Sequence, residues 1–558
     1  MIKKRMPALA MAMVMSMMTA CGKTPAPAPA PAEEAKEYVV TDVSFDSLIN
    51  VPAEDNHRVF YEIFVGSFSD SDGDGLGDLR GIINRLDYLN DGDAKSGKSL
   101  GIEGIWLSPI NESPSYHKYD VADYLAIDDE FGTMDDLKEL VSKCHERGIK
   151  VIMDFVINHS SKENAWFKEF CKARRGEDTS SEYYDFYTAS KEPVSGRRFD
   201  KIAASDWYYE CNFSGDMPEL NYDNPKVRDK FEEVAKYYLN DIGIDGFRFD
   251  AAKYIYFGEE IRNAEFWVDF MGRLRAIKPD IYTVAEVWDS DAVTDMYEPA
   301  LNCFNFTMSQ VDGYISEAAK KGDVNNYVKY VDYYMENIEK MNSSAMMIPF
   351  ISNHDMDRAA GFLQSTGGFA KVAANLYILG PGSPFIYYGE EIGMKGARGS
   401  SNTDANRRLA MLWGDGDTVK NPTGSDYDDK LQTNGTLSDQ LLDEMSLYNY
   451  YKKLIMIRRA NPEMYLGEYT ALSVKDSKVS GFVSEYEGNK VCVLHNTTTS
   501  AKTIDISEVT AFSFDKIAAC IGVENTDDIL ESGKATMPEA KLEGSKITIP
   551  AQSSVVLR

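Results

Sequence analysis

The sequence predicts an α/β fold whose repeating pattern suggests a (β/α)8 TIM barrel. Eight short apolar runs recur between residues 58 and 388, and amphipathic stretches such as Met134–Arg147 separate most of them. Strands that alternate with helical patterns are typical of a parallel sheet, and eight strands can close it into a barrel. An open doubly wound sheet would give the same pattern, so the spacing leaves both arrangements open. The runs are Arg58–Phe64, Ile102–Leu107, Ile149–Val156, Ile244–Phe249, Ile281–Ala285, Cys303–Phe306, Met347–Ile351 and Phe385–Tyr388.

The first residues form a pattern typical of export. A basic segment at 3–5 precedes the apolar stretch Met6–Ala20, which is too short to span a membrane. The stretch ends in MTACG, which resembles a bacterial lipoprotein signal that is cleaved before a lipid-bearing cysteine, here Cys21. We therefore expect a signal peptide at 1–20 and a protein exported to the bacterial cell envelope, where Cys21 anchors it in the membrane. Plain secretion is the alternative.

Residues 21–45 predict a spacer between this anchor and the body of the protein. After Cys21 the sequence reads GKTPAPAPAPAEEAKE. Alternating Pro and Ala cannot bury a core and favour an extended polyproline II conformation.

The composition excludes several classes of protein. With 59 Lys and Arg against 89 Asp and Glu, the net charge is −30, and such an acidic chain is repelled by nucleic acid. The seven cysteines form no short CxxC pair, so the sequence predicts neither a zinc site nor a redox motif. A hydrophobic content of 43% is ordinary for a globular protein with a large core.

The spacing of acidic residues that end these runs predicts an insertion. The step from Asp250 to Glu286 is 36 residues, about one βα unit, whereas the step from Asp154 to Asp250 is 96. We assign the excess to an inserted domain B at 160–222, so that the barrel comprises 46–159 and 223–465. Following an amphipathic helix at Ser438–Arg459, alternating patterns predict an antiparallel β-sandwich domain at 466–558.

Three of the apolar runs end in or are followed by the carboxylates Asp250, Glu286 and Asp355. Because the C-terminal strand ends of a barrel meet at one face, these side chains are expected in one pocket. Paired carboxylates in a cleft can hydrolyse a glycosidic bond, one attacking the sugar and the other protonating the leaving oxygen. The barrel alone does not establish this chemistry, since barrels host many reactions.

Four segments, in order, resemble the signature regions of the α-amylase family of glycoside hydrolases (family 13). The resemblance covers the chain from about residue 55 to its C-terminus, and it implies a barrel enzyme that acts on an α-glucan. The segments are Asp154–His159 (DFVINH), Gly246–Lys253 (GFRFDAAK), Ala285–Trp288 (AEVW) and Ser352–Asp355 (SNHD).

The family resemblance implies a role for each matching residue. Asp250 resembles the nucleophile, Glu286 the general acid/base, and Asp355 the third carboxylate that holds sugar hydroxyls. Arg248 would keep the carboxylate of Asp250 ionised by charge pairing. Three further residues are implied in substrate binding, and they are His159, His354 and Lys253.

A further segment, Ser113–Tyr124, resembles the family's YHGYDVTDY stretch. There Tyr119 would stack on the sugar at the cleavage site, and His117 would hydrogen-bond to it. Lys118 stands where Gly is usual, which implies a different loop path or an added charge near the cleft.

Two calcium sites are predicted. An Asp-rich loop with EF-hand-like alternation follows the first strand, and its expected Ca²⁺ ligands are Asp70, Asp72, Asp74, the carbonyl of Leu76, and Asp78. A solvated acidic turn without metal is the alternative. Asn158 matches a family calcium ligand, and its partner would come from Met217–Asn221, where Glu219 stands in place of the more frequent Asp.

The position of Ala251, directly after Asp250, resembles that of α-1,4-acting members of the family. The MPELN stretch and the lipoprotein signal resemble members intermediate between amylases and oligo-1,6-glucosidases or neopullulanases. We therefore expect a retaining endo-hydrolase of α-1,4-glucosidic bonds in starch and maltodextrins. A neopullulanase, cyclomaltodextrinase or α-glucosidase on shorter oligosaccharides is the alternative among enzymes. A non-catalytic glucan-binding lipoprotein is the alternative of another class, and the intact set of three carboxylates argues against it.

Overall fold

The computed structural model describes residues 57–363, 368–524 and 535–558, which belong to one compact unit. The predicted signal peptide, the lipidation site Cys21 and the spacer lie outside these residues, as does the start of the predicted barrel at residue 46. Among the described residues, no helix combines the length and the apolar character that crossing a bilayer requires.

The strands and α-helices are numbered in chain order. The strands are β1 (Phe60–Ile63), β2 (Gly104–Leu107), β3 (Asn111–Glu112), β4 (Asp123–Ile127), β5 (Lys150–Phe155), β6 (Ala189–Ser190), β7 (Phe199–Lys201), β8 (Tyr208–Glu210), β9 (Gly246–Phe249), β10 (Tyr282–Ala285), β11 (Phe385–Tyr387), β12 (Glu468–Ala471), β13 (Val479–Tyr486), β14 (Asn489–Asn496), β15 (Lys502–Asp505), β16 (Ile517–Gly522), β17 (Lys541–Glu543), β18 (Lys546–Ile549) and β19 (Ser553–Leu557). The helices are α1 (Leu79–Asn84), α2 (Leu86–Leu89), α3 (Met134–Glu146), α4 (Ala165–Gly176), α5 (Pro225–Lys236), α6 (Glu260–Ile277), α7 (Asp291–Thr294), α8 (Tyr314–Lys321), α9 (Val324–Met341), α10 (Ala359–Phe362), α11 (Gly368–Ile378), α12 (Leu437–Gln440), α13 (Leu447–Arg459) and α14 (Glu463–Leu466).

Eight parallel segments close into a barrel. Six of them form a parallel sheet in the order β10-β9-β5-β2-β1-β11. Two further segments continue the ring through single parallel bridges, the first from Ala285 of β10 to Cys303 and the second from Phe304 to Ile348. The ring closes where the N–H of Phe385 donates to Pro349 O over 3.0 Å. The predicted (β/α)8 barrel is thereby confirmed, and the open-sheet alternative is excluded.

Alternate side chains of the barrel strands fill its interior. Phe60 of β1 and Phe385 of β11 stack inside the barrel with ring centroids 4.7 Å apart, and Trp106 lies beside them. Gly104 makes room for this packing, because a Cβ there would lie 2.4 Å from the ring of Phe60. The intervening side chains pack outward against the helices, so the interior is a filled core and the site lies at one end.

The predicted insertion leaves the barrel after β5 and returns before α5. It contains α4 and a three-stranded antiparallel sheet in the order β6-β8-β7. Antiparallel bridges from His159 to Glu219 and from Tyr187 to Leu220 hold its two ends together. The chain therefore enters and leaves this lobe beside the C-terminal end of β5.

The C-terminal region consists of two antiparallel sheets, as predicted. Their orders are β12-β13-β14-β19-β16 and β15-β18-β17, and residues such as Leu494, Ile547 and Val555 form the core that they share. The single helix predicted at Ser438–Arg459 is instead two helices, α12 and α13. The break occurs because Ser446 accepts the N–H of Asn449 and so caps a new helix.

Candidate active site

A single buried guanidinium contacts three carboxylates at the C-terminal strand ends. Nη1 of Arg248 donates to Oδ1 of Asp250 over 2.7 Å and to Oδ1 of Asp154 over 2.9 Å. Its Nη2 donates to Oε2 of Glu286 over 2.8 Å. Arg248 precedes Asp250 by two residues and therefore points from the same face of β9. Its side chain is only 1% exposed, so the two predicted reactive carboxylates are fixed to one rigid cation.

The turn that follows Asp250 has an unusual backbone. Ala251 has φ of 48°, in the left-handed region that residues other than Gly rarely adopt. This conformation directs its N–H to Oε2 of Glu286 over 3.0 Å. The strained turn therefore connects the end of β9 with the carboxylate that follows β10.

Burial makes both reactive carboxylates hold protons more readily. The pKa of Asp250 rises to about 6, because burial and the negative charges of Asp154 and Asp355 outweigh the attraction of Arg248. Burial also raises the pKa of Glu286, and the charges of Asp250 and Asp355 add to this effect. Arg248 therefore orients Asp250 without making it a stronger acid than an ordinary aspartate.

The pKa of Asp355 is shifted in the opposite direction to the pKa values of Asp250 and Glu286. Its Oδ1 accepts a hydrogen bond of 2.6 Å from Nη2 of Arg408, and its Oδ2 lies 3.1 Å from Nε2 of His354. Although burial opposes ionisation, His354 and then Arg408 hold the pKa of Asp355 well below its usual range. One carboxylate of the three is thus kept charged while the other two titrate at higher pH.

The rings of Tyr119 and His354 stack at one side of this cluster. Their centroids are 5.5 Å apart and their planes differ by 12°. The Tyr119 hydroxyl donates to Oδ2 of Asp154 over 2.9 Å and lies 2.7 Å from Nε2 of His354. Tyr119 is therefore in place beside the carboxylates, and its hydroxyl belongs to their network.

The other two predicted histidines also bond to protein atoms. Nε2 of His159 lies 3.2 Å from the carbonyl oxygen of Tyr119, and burial lowers the pKa of His159 to about 4. Nδ1 of His117 accepts the N–H of Tyr119 over 3.1 Å. Burial, then the charge of Arg408, lowers the pKa of His117 to about 4. The neutral ring of His117 therefore carries its proton on Nε2.

The expected added charge of Lys118 near the cleft is wrong. Its ammonium is buried and lies 2.8 Å from Asp128 and 2.6 Å from Glu130, while also donating to Ser113 O. Its backbone has φ of 63°, the left-handed conformation that Gly adopts without strain. Lys118 thus keeps a glycine-like loop path, and its charge is neutralised beneath the loop.

Lys253 holds the loop that follows Glu286. Its Nζ donates to Trp288 O over 2.8 Å and to Asp289 over 2.7 Å. Trp288 stacks on Phe306 and remains 39% exposed. It borders a cavity of about 540 Å³ that Asp355 also lines. An exposed aromatic face beside the carboxylates can pack against the apolar face of a sugar ring.

Sequence reasoning missed Arg408, which contacts one lining residue of this cavity, Asp355, and one lining residue of a second cavity, Tyr116. Its Nη1 donates to Tyr116 Oη over 3.1 Å, while its Nη2 holds Asp355. Tyr116 and His117 line the second cavity, of about 830 Å³. Arg408 lies in the irregular segment after β11, where no periodic pattern marks a functional residue.

The Asp-rich loop brings three of its carboxylates together. Single oxygens of Asp70, Asp72 and Asp78 all lie within 4.8 Å of one another. Asp74 is not in this group, and its Oδ1 accepts the N–H of Leu76 instead. A cluster of carboxylate oxygens of this size fits a hard divalent cation such as Ca²⁺. These three side chains would supply the carboxylate oxygens that bind such a cation.

The second predicted calcium site places Asn158 against Glu219. Nδ2 of Asn158 donates to Oε2 of Glu219 over 2.6 Å, and its buried Oδ1 has no hydrogen-bond partner. Burial, then the charge of Glu210, raises the pKa of Glu219 to about 8. A buried carboxylate beside an unpartnered amide oxygen is a donor set that fits a cation.

Comparison with known proteins gives one consistent family. A sequence profile described as the alpha-amylase catalytic domain matches residues 62–467. Alpha-amylase 3 of Dictyoglomus thermophilum is 34% identical over 515 residues, which cover 90% of this chain and 93% of that protein. A cyclomaltodextrinase of Thermoanaerobacter pseudethanolicus is 29% identical over 488 residues, covering 86% and 71%. The structure of Eubacterium rectale Amy13B has a TM-score of 0.80 at 34% identity, covering 90% and 96%.

The activities named for relatives differ. An oligo-1,6-glucosidase of Bacillus cereus is 29% identical over 544 residues, and a 4-alpha-glucanotransferase of Thermotoga maritima is 34% identical over 356. Similarity therefore indicates the family and leaves the individual activity open.

Proposed function

The chain belongs to the α-amylase family of glycoside hydrolases, and on that premise we propose that it hydrolyses internal α-1,4-glucosidic bonds of starch and maltodextrins with retention of configuration. The supporting observation is the attachment of Asp250 and Glu286 to one guanidinium, with Asp355 ionised beside them. This arrangement supplies a nucleophile, a proton donor and a fixed negative charge within one pocket.

In the first step, a carboxylate oxygen of Asp250 attacks the anomeric carbon of the bound sugar. The bond from that carbon to the leaving oxygen breaks, and Glu286 transfers its proton to this oxygen. A glycosyl ester on Asp250 remains. Asp355 is the fixed charge that would hold sugar hydroxyls and stabilise the positive charge developing on the ring.

In the second step, Glu286 acts as a base. It removes a proton from water, whose oxygen attacks the anomeric carbon and breaks the ester with Asp250. The sugar leaves with its original configuration, and both carboxyl groups return to their starting states. Burial raises the pKa of Glu286, which suits a group that gives a proton in one step and takes one in the next.

Two cavities support binding of a substrate longer than one sugar, and one of them is lined by Asp355 itself. One borders Tyr116 and His117, and the other borders Trp288. The contact between Arg408 and Tyr116 favours a second candidate, an enzyme that removes sugars from chain ends. A guanidinium in that position would block a glucan that ran from one cavity to the other.

A time course of products from amylose and pullulan, resolved by chain length, tests these candidates. Early maltodextrins of intermediate length from amylose, with pullulan nearly intact, support internal α-1,4 hydrolysis. Glucose or maltose alone from the start supports the chain-end α-glucosidase. Panose from pullulan supports a neopullulanase. Glucan binding without any products would support the non-catalytic lipoprotein instead.

We also propose that the enzyme is exported and anchored through a lipid on Cys21, and that it binds Ca²⁺. The acidic loop supports the calcium proposal, and the sequence around Cys21 supports the anchor. Expression with radiolabelled palmitate in a lipoprotein-processing bacterium tests the anchor. Label on the wild type but not on Cys21→Ser is the expected result, and equal labelling of both contradicts it.

A further inference from the structure

A buried carboxylate on β1, that of Glu62, contacts the candidate active site through His354. Glu62 is 2% exposed, and its Oε1 lies 2.5 Å from Nδ1 of His354. The backbone N–H of His354 points to the same oxygen over 3.4 Å. The two residues are 292 positions apart, so this contact exists only in the closed barrel.

Both ring nitrogens of His354 face acceptors. Nε2 lies 3.1 Å from a carboxylate oxygen of Asp355 and 2.7 Å from the Tyr119 hydroxyl, whose own proton goes to Asp154. Nδ1 faces Glu62. An imidazole whose two nitrogens both meet carboxylates satisfies these contacts when it carries a proton on each nitrogen.

We propose that Glu62 is a positioning residue that keeps His354 doubly protonated and oriented, so that His354 acts as the cationic donor to Asp355 and Tyr119. The proposal rests on the proposed function insofar as it assigns His354 to the catalytic pocket. Glu62 touches no reacting atom and acts through His354 alone.

The groups around His354 agree with this assignment. The rings of Trp106 and Phe64 enclose the imidazole, with centroids 5.6 and 6.5 Å away. The charged or titratable groups that face it are Glu62, Asp355, Tyr119, Asp154 and Arg408, which donates to His354 O. Burial opposes the charged ring, but Asp355 and Glu62 together raise the pKa of His354 to about 10.

Removing the charge of Glu62 without changing its shape tests the proposal. The variant is Glu62→Gln, and Glu103→Gln is the matched control. Glu103 is also a buried barrel carboxylate, but it lies before β2 at the opposite end and pairs with Arg459. Circular dichroism and melting temperature establish that each variant is folded.

Nuclear magnetic resonance of histidine-labelled protein reads the protonation of His354 without any substrate. The chain has six histidines, and the spectrum of a His354→Gln variant identifies the signal. Both nitrogens of His354 are expected to show imidazolium shifts at pH 7 in the wild type and in Glu103→Gln. In Glu62→Gln the imidazole is expected to lose its proton at a pH lower by about one unit or more.

Steady-state kinetics provides the second measurement. Glu62→Gln is expected to lower kcat by about 10- to 100-fold and to add a loss of activity on the alkaline side as His354 deprotonates. Glu103→Gln is expected to retain the wild-type pH profile. A merely structural role of Glu62 would lower the melting temperature without moving the profile.

A neutral His354 at pH 7 in the wild type overturns the proposal, as does a Glu62→Gln variant in which His354 titrates as in the wild type. If Glu62→Gln does not fold, the wild-type spectrum alone decides. If the wild type hydrolyses no glucan, the proposed function fails, and the spectra still decide whether Glu62 keeps His354 protonated.

Discussion

The backbone N–H of Ala251 donates to Oε2 of Glu286 over 3.0 Å. The same oxygen accepts Nη2 of Arg248, so two donors already occupy it. When Glu286 is protonated, its proton therefore lies on Oε1. If Glu286 is the general acid, as proposed, the strained turn after β9 thus decides which of its oxygens faces the leaving group.

The pH dependence of hydrolysis should follow these carboxylates. Asp250 must be ionised to attack, so kcat/KM should fall as the pH drops through about 6, the pKa of Asp250. Glu286 must be protonated, so kcat/KM should fall again above its own raised pKa. Because the two groups interact, the apparent pKa values of the acidic and alkaline limbs of the pH profile belong to the pair of carboxylates and not to either residue alone.

Asp355→Asn tests the origin of these limbs. The charge of Asp355 raises the pKa of both Asp250 and Glu286, so its removal should move both limbs to lower pH. Residual hydrolysis of an unmodified maltooligosaccharide, whose leaving oxygen needs the proton of Glu286, provides the profile. Asp357→Asn is the control, since this carboxylate pairs with Arg407 instead. Limbs that stay in place would contradict the assignment.

Asp250→Asn should abolish turnover and spare substrate binding. The substitution removes the attacking charge but keeps the shape, so kcat should fall by about 10⁴-fold or more. Calorimetry with a maltooligosaccharide should give a Kd close to that of the wild type. Substantial hydrolysis by the purified variant, with contamination excluded, would refute Asp250 as the nucleophile.

Calcium should stabilise the fold through the group of three carboxylates. At a free concentration of about 100 times Kd, a ligand that binds only the folded state adds about 2.7 kcal/mol. Excess chelator should therefore lower the melting temperature of the wild type.

Two single substitutions separate the members of the Asp-rich loop. Asp72→Asn removes one of the three clustered carboxylates and should weaken the calcium dependence, whereas Asp74→Asn, outside the cluster, should retain it. An equal loss of the calcium dependence in both variants would show that Asp74 also binds the cation.

Lys118→Met should destabilise the protein. The substitution keeps an unbranched apolar stem, one atom shorter, but leaves the buried carboxylate of Asp128 without its cation, at a cost of about 3 kcal/mol. Lys118→Gly loses the same cation and the buried side-chain stem, while it relieves a left-handed backbone strain of about 1 kcal/mol, so it should be destabilised as well. Denaturant unfolding measures both. A Lys118→Met variant within about 0.5 kcal/mol of the wild type would contradict this account.

The barrel and its main carboxylates could be predicted because their signals are local. A strand of period two places Arg248 and Asp250 on one face, and strand ends of a barrel meet in space. The contact between Glu62 and His354 depends instead on how distant strands pair. The only local signal was that Glu62 is the one acidic residue in the first apolar run.

Loop residues were harder to predict for a related reason. Lys118 was expected either to change the path of its loop or to add a charge near the cleft, because the sequence does not show that Asp128 and Glu130 pair with it. Arg408 reaches Asp355 from the irregular segment after β11, where neither hydrophobic periodicity nor spacing indicates a partner. In both cases tertiary contacts decide the role of a charged side chain.

The pairing of the first barrel strand, β1, with the last, β11, also determines when the protein can fold. Ser383 Oγ donates to Arg58 O, which lies 325 positions earlier, beside the parallel pairing of Phe60 with Phe385. During synthesis, β1 therefore has one unpaired edge until the ribosome has completed most of the chain. Such non-local pairing slows folding and leaves an edge that other chains can join. Nascent chains that stop before β11 should accordingly aggregate, and chaperones should bind them until the ring closes.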